Sequence, residues 1–500
     1  MALLVELAGR TFALELGGAG APQPVDGGLV LPPGRAAVLH NLGDALFYRH
    51  GQNSWSPCGW RRLSEPPLRI ADPRRRITAD DPRWDDPHRH HSSAVAALQG
   101  ADGNVLLLGA LGLGTPRLSA DHDTLVGWYE AAGSPWFLAY GPELEVFAAY
   151  TRHLAQRLGS RSRKAGNVWC SWYAYYEGIS ETALVKDILA LGGLPFDVVQ
   201  IDDGWQTKVG DWHPNAKFPS GMAALADRIT DAGLVAGLWL APFIALPDST
   251  IAQQRPELLL RDALGQPVIA GYNWGTGYWA LDLSRDDARE HVAATIQRVV
   301  HEWGFRYLKL DFINGALMPS ARDAAIDREQ VYRDAVALIR DVAGEDVYLL
   351  GSGAVLLPSL GLLDGLRVGP DVAPIWQNYA TTDPSDAMAR NALVNSVHRL
   401  WQAPLAEIDP DIVYFRRRLN LLTDRQLQWL RDLADICGFR AVSDPPGWLT
   451  PDELDAMNAY LGHRPQVARL GRYRYTIDGR DVDFEEAVHP AAPEQLYPIS

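Results

Sequence analysis

Over the first 160 residues the apolar positions come in short runs: LLVELAG, RTFALELG, GLVLPP, AAVLHNLG, SSAVAALQG and NVLLLGALG. Gly, Pro, Asp and Asn separate them. Alternating or continuous apolar runs of this length, broken by turn formers, predict β-strands, and a succession of them predicts a β-sandwich over residues 1–160. The turn ADGN carries Asp102-Gly103, the dipeptide a tight antiparallel hairpin favours. GALGLG lies between strands with no helix after it, so it reads as a turn and not a phosphate loop. Two charged clusters, Arg74 to Arg76 and the histidines His88, His90 and His91, read as solvated loop. In HGQNSWSPCGW, residues 50 to 60, Trp55 and Trp60 share a loop too rich in Gly, Ser and Pro to bury both. One of them is expected to reach a neighbouring domain.

Past residue 160 the period changes. Short apolar strands now alternate with amphipathic helices, the pattern of parallel β/α units. The expected strands are NVWCSWY at 167, DVVQIDD at 197, LVAGLWL at 234, YWALDL at 278, FRYLKLD at 305, DVYLLGS at 346, GLRVGPD at 365 and LWQAPLAE at 400. Helical spacing lies between them, as in Val292, Ile296, Val299, Val300 and Trp303, or Val331, Ala335, Leu338, Ile339 and Val342 before Gly344. Eight such units over 161–437 make a (β/α)8 TIM barrel, α/β in class. The short gap before GLRVGPD leaves room only for a stunted helix. After Cys437 come SDPPGW, a helix over TPDELDAMNAYL and a hairpin about Asp478-Gly479. They form a small C-terminal β domain, 438–500, that has to pack on the barrel because two or three strands do not hold alone.

Composition narrows the function. With 500 residues, 47% of them hydrophobic, the chain has core enough for several domains. A formal charge of −15 disfavours nucleic acid and anionic membranes as partners and suits a neutral small-molecule or oligosaccharide substrate. Seventeen Trp and eighteen Tyr offer flat faces of the kind sugar rings use, although most such residues belong to cores. Cys58, Cys170 and Cys437 are too scattered for a disulfide framework or zinc site, which points to a reducing cytoplasm. MALLVELAGR lacks a basic leader region, and the longest charge-free apolar run, residues 233 to 247, is too short for the roughly 20 residues a membrane helix needs. No cofactor is called for, and a strand-end histidine set for a metal is missing.

Barrel chemistry sits at the C-terminal ends of the strands. Here those ends carry Trp172 and Tyr173, Asp202 and Asp203, Trp239, Lys309 and Asp311, and Arg367 with Asp371. Each alone has a plain structural reading: helix cap, salt-bridge strut or barrel filling. As a set they describe a polar, aromatic cavity. Two carboxylates on different strands fit the paired-carboxylate logic of glycoside hydrolysis. Lys309 and Asp311, two apart on one strand, share a face, so an ion pair between them would keep Asp311 ionised as nucleophile. Asp371 would be the acid, its proton retained by burial against the pull of Arg367. Asp202 and Asp203 would orient a sugar through charge-assisted hydrogen bonds.

NVWCSWY, VVQIDDGW, GLWLAPF, YWALDLS, RYLKLDF and LLGSGAVLLPSLGLLDGLRVGPDVAPIW together closely resemble the bacterial α-galactosidases of glycoside hydrolase family 36, over the whole barrel. The resemblance implies Asp311 as nucleophile and Asp371 as acid/base. It implies Asp202, Asp203, Trp172, Tyr173, Trp239, Lys309 and Arg367 as galactose-binding residues, with Trp55, in a QSWS-like segment, reaching in from the N-terminal domain. Two departures touch the pocket: Ser352 in GSGAV stands where compact members often have Cys, and DDGW replaces DDAY, as in plant raffinose synthases. The resemblance therefore implies a retaining exo-α-galactosidase acting on small galactosides such as melibiose and raffinose. A galactosyl-transferring enzyme and a non-catalytic sugar-binding barrel are the alternatives.

Overall fold

The computed structural model describes residues 3–83, 86–161, 163–322, 326–378, 381 and 383–490. Two antiparallel sheets of six and seven strands occupy the N-terminal part, from Leu3–Leu7 to Trp136–Gly141. Their inward positions, such as Leu106, Leu108 and Leu138, are fully buried, which is the origin of the apolar runs read above. The charged clusters behave differently from expectation. Arg74 to Arg76 ride on a helix, Pro73–Ala79, and His90 and His91 lie in the strand His90–Ser93, 5% and 3% exposed. The His90 Nε2 donates to the backbone carbonyls of Leu63 and Glu65, which offsets the burial of that ring nitrogen.

A parallel sheet of nine segments forms the middle layer. Its order begins at Glu407–Asp409, runs through Gly365–Arg367, Tyr348–Gly351, Tyr307–Leu310, Val235–Leu240, Val198–Ile201, Asn167–Cys170 and Arg440–Val442, and ends at Ile412–Val413. The two end segments are successive pieces of one strand, parted only by Pro410 and Asp411, so the sheet closes on itself as a barrel of eight strands. Pro410 lacks the N–H that a continuous ladder needs, and Asp411 sits at φ 78°, which accounts for the break.

Two expected strands are corrected. YWALDL does not enter the barrel: Thr276–Ala280 pairs with Ile269–Asn273 and Ile244–Ala245 in a separate antiparallel sheet. Residues 400 to 402 are a single helical turn, and the barrel segment begins at Glu407. The closing strand is Arg440–Val442, three residues beyond the 437 end expected for the barrel; it pairs with Asn167–Cys170 on one side and Ile412–Val413 on the other. A stunted helix, Leu356–Ser359, does precede Gly365–Arg367.

Downstream, the helix Pro451–Gly462 leads to a three-stranded sheet. Its hairpin pairs Ile477 with Arg480 around Asp478 (φ 49°) and Gly479 (φ 77°), a two-residue turn with both centres left-handed. Trp60 is buried beneath the Arg472 guanidinium, 3.9 Å from the ring centroid, and so joins the N-terminal sandwich to the turn between the first two strands of this sheet.

Candidate active site

At the C-terminal mouth of the barrel is a cavity of about 490 Å³. Of the residues singled out from sequence, Trp55, Trp172, Asp202, Asp203, Trp239, Lys309, Asp311 and Asp371 line it. Tyr173, Arg367 and Ser352 do not; they lie buried behind the wall.

The barrel strands set the inner end. Asp202 and Asp203 follow Val198–Ile201, and Lys309 lies on Tyr307–Leu310, with Trp239 beside it in register on the strand between them. Lys309 was expected to pair with Asp311. Its Nζ donates instead to Asp202 Oδ2 at 2.8 Å, the flexible stem carrying the ammonium past the intervening strand. Gln200 Nε2 donates to the same oxygen at 2.6 Å, and the Asp203 N–H to Asp202 Oδ1 at 2.9 Å. Burial pushes the Asp202 carboxyl up, but the adjoining ammonium outweighs it and holds the group below the usual range. The same attraction raises Lys309 against its own desolvation. Asp203 has no such cation. It accepts from Gln206 Nε2 (2.6 Å) and Trp274 Nε1 (2.8 Å), and burial pushes it up to about 6.

Asp311, one residue past its strand, accepts from Trp239 Nε1 (3.0 Å) and from the Phe312 N–H (2.9 Å), one donor on each carboxyl oxygen. Both contacts fix the group while leaving lone pairs toward the cavity. Phe312 (φ 52°) and Trp274 (φ 51°) both adopt left-handed backbone, which costs bulky residues of order 1–3 kcal/mol each. Their rings meet at 5.2 Å, and Phe312 also meets Trp55 at 5.2 Å. Strain and aromatic packing thus converge on the residue after Asp311.

Asp371 belongs to a second cluster. Arg367 Nε donates to Asp409 Oδ2 at 2.7 Å, its Nη2 lies 3.0 Å from Asp411 Oδ1, and its Nη1 is 3.4 Å from Asp371. The guanidinium is committed to two other carboxylates, so its pull on Asp371 is weak. Arg367 is therefore the floor beneath Asp371 and does not face the cavity. Although 37% of the Asp371 side chain is open to the cavity, enclosure by protein and the nearby Asp411 charge push its carboxyl up to about 6. Tyr173 donates its hydroxyl to Asp411, completing that floor.

Trp55 arrives from the sandwich. Arg399, on the barrel side, donates to Asn53 O (2.8 Å) and Ser56 O (2.9 Å) and clamps the loop. The Trp55 indole lies over Gly353, where a Cβ would come within 2.5 Å of the ring, so only glycine admits it. Ser352 is the buried residue just before this contact.

Sequence reasoning missed Trp274, Phe312, Asp409, Asp411 and the helix Pro73–Ala79, whose Arg74, Arg75 and Thr78 form part of the cavity wall. Asp409 and Asp411 were legible as carboxylates two apart in EIDPDIV, had the seventh strand been placed there. Among the described residues, no group of three His, Cys, Asp or Glu side chains is arranged to hold a metal ion, and no helix is long and apolar enough to cross a membrane.

A closed barrel whose mouth gathers several carboxylates among aromatic and hydrogen-bonding side chains has the chemistry of a glycoside hydrolase. The Melibiase family model matches residues 146–343. An α-galactosidase of Thermus thermophilus, solved with p-nitrophenyl α-D-galactopyranoside, is 43% identical, with a TM-score of 0.92 over 97% of this chain and 100% of its own. The chain belongs to the α-galactosidases of glycoside hydrolase family 36. The fold also matches α-galactosidase AgaA of Geobacillus stearothermophilus (TM-score 0.58, 17% identity, 86% of this chain and 63% of that one). By sequence, the match to AgaA is 28% over 184 residues, 34% of this chain and 24% of AgaA. The chain thus matches only about a quarter of that curated relative's length.

Proposed function

We propose that this protein is a retaining exo-α-galactosidase that removes terminal α-linked galactose from small galactosides of the melibiose and raffinose type. The observation that carries the reading is that, among the carboxylates of one cavity, two stand in opposite settings: Asp311 fixed by two N–H donors, Asp371 pushed up to about 6. The first suits a nucleophile and the second a group that starts protonated. The Thermus relative has also been solved with stachyose, which supports a galacto-oligosaccharide as substrate. Three free, buried cysteines suit a reducing compartment, and we place the enzyme in the cytoplasm.

In this mechanism an Asp311 oxygen attacks the anomeric carbon. The glycosidic bond breaks with its electron pair on the leaving oxygen, which takes the Asp371 proton. The β-linked galactosyl-enzyme then meets a water whose proton passes to Asp371, and the Asp311 carboxylate departs. Asp202, Asp203, Lys309, Trp172, Trp239 and Trp55 surround the galactose. Asp202 and Asp203 accept from its hydroxyls, and the aromatic rings cover its apolar faces. Asp311→Gly tests the nucleophile: hydrolysis of an aryl α-galactoside should fall by several orders of magnitude, and azide should restore turnover with β-galactosyl azide as product. Near-normal hydrolysis by Asp311→Gly without azide would remove Asp311 from the role.

A further inference from the structure

Asp202 and Asp203 are neighbours at the closed end of the cavity, both buried, yet they are held in different ways. Asp202 is fixed from within the barrel by Lys309, Gln200 and a backbone N–H. Asp203 borders open space on two sides. Besides the catalytic cavity it lines a second one, of about 570 Å³, whose wall includes Gln206, Lys208, Asn215 and Lys217 and shares both Asp203 and Trp274 with the first. Packing therefore leaves the Asp203 carboxylate room to turn away from a bound sugar. What holds it is one donor on each oxygen, Gln206 Nε2 on Oδ1 at 2.6 Å and Trp274 Nε1 on Oδ2 at 2.8 Å. Gln206 is close in sequence; Trp274 comes from a hairpin outside the barrel.

That hairpin places Trp274 against local preference. Asn273 pairs with Thr276, and the two turn centres between them, Trp274 and Gly275, have φ of 51° and 75°. A turn with both centres left-handed calls for Asn, Asp or Gly at the first, and strain of this kind persists where the surroundings over-determine it. Here they do. At the hairpin's base a Cβ on Gly271 would collide with the hydroxyls of Thr78 and Tyr278, which bond each other at 2.9 Å and pin the hairpin to the helix Pro73–Ala79. At its tip the indole meets Phe312 at 5.2 Å, Tyr278 at 5.7 Å and Trp239 at 6.5 Å. A phenylalanine would meet the need for a ring; the indole adds one N–H, and Asp203 accepts it. We propose that Trp274 is a positioning residue for galactose binding: its N–H, with Gln206 on the other oxygen, sets the plane of the Asp203 carboxylate so that the remaining lone pairs meet the sugar's hydroxyls. The inference rests on the α-galactosidase reading and adds to it a residue that acts through Asp203 from outside the barrel.

Trp274→Phe keeps a ring among its neighbours and removes the N–H. In the otherwise wild-type enzyme it should lower kcat/KM on an aryl α-galactoside about tenfold, equivalent to about 1.4 kcal/mol, and weaken galactose binding by a similar factor in calorimetry. In an Asp203→Ala background, where no carboxylate remains to be oriented, the same substitution should change kcat/KM less than about twofold. A residue that acted by packing would lose as much in both backgrounds, so equal losses overturn the proposal. A Trp274→Phe enzyme that binds galactose and turns over as well as wild type overturns it too, and that measurement does not depend on the Asp203→Ala protein folding. A wild-type protein that neither hydrolyses the aryl α-galactoside nor binds galactose would instead overturn the α-galactosidase reading, and the positioning role with it.

Discussion

Two buried cations stand on barrel strands separated by a single strand, and they treat their carboxylates differently. Lys309 has Asp202 as its ion-pair partner and holds that group ionised. Arg367 lies within 3.4 Å of Asp409, Asp411 and Asp371, and one guanidinium cannot neutralise three carboxylates. The last of them, open to the cavity, is pushed up to about 6. The comparison teaches that burial raises a carboxyl at this mouth unless one cation is committed to it: Asp203, with no cation, and Asp371, which shares Arg367 with Asp409 and Asp411, are both pushed up to about 6. On that view the proximity of Arg367 to Asp371 and the need for a protonated acid are compatible.

The largest effect should come from the side with one carboxylate per cation. Lys309→Met leaves Asp202 buried without its cation, and breaking a buried pair on one side costs about 3–5 kcal/mol. A clear fall in unfolding midpoint is expected, together with at least a hundredfold loss in kcat/KM on an aryl α-galactoside. A variant as stable and active as wild type would mean that the pair does not hold the closed end. Asp203→Asn should weaken galactose binding about tenfold or more by calorimetry, because hydrogen bonds to charged groups contribute roughly 1.5–3 kcal/mol. Its unfolding midpoint should stay put; early melting with normal binding would make Asp203 a structural residue. The smallest and most pointed change is Asp411→Asn. Asn tolerates the φ of 78° at this position and removes one negative charge from beside Asp371. An acid that must begin protonated loses activity as pH rises through its pKa, so the basic limb of the kcat/KM profile should move to lower pH, by about one unit. A limb that stays in place or moves up would contradict the shared-cation view.

Much of this arrangement was legible from the chain. RYLKLDF and VVQIDD are apolar runs closing on carboxylates, and the rule that barrel chemistry gathers at strand ends was enough to bring Asp202, Asp203, Trp239, Lys309 and Asp311 into one cavity. Face-sharing along a strand predicts where Lys309 points but not how far its flexible side chain reaches, and Asp202 proved to be its partner. YWALDL has the pattern of a barrel strand, yet hydrophobic periodicity does not distinguish the barrel from a hairpin that leaves it. The closing strand, Arg440–Val442, is three residues long, and its partner is interrupted at Pro410, so neither produces a readable run. Trp274 and the Arg74 helix were missed because they reach the cavity from a hairpin turn and from the N-terminal part, where no strand-end rule applies.

The roles of Asp311 as nucleophile and Asp371 as acid/base are tested most directly by the stereochemistry of the first-formed product. Attack by Asp311 inverts the anomeric centre and attack by water inverts it again, so proton NMR begun at mixing should show α-galactose before mutarotation. Initial β-galactose would mean a single displacement, with Asp311 activating water instead of bonding to the sugar, and would contradict the account.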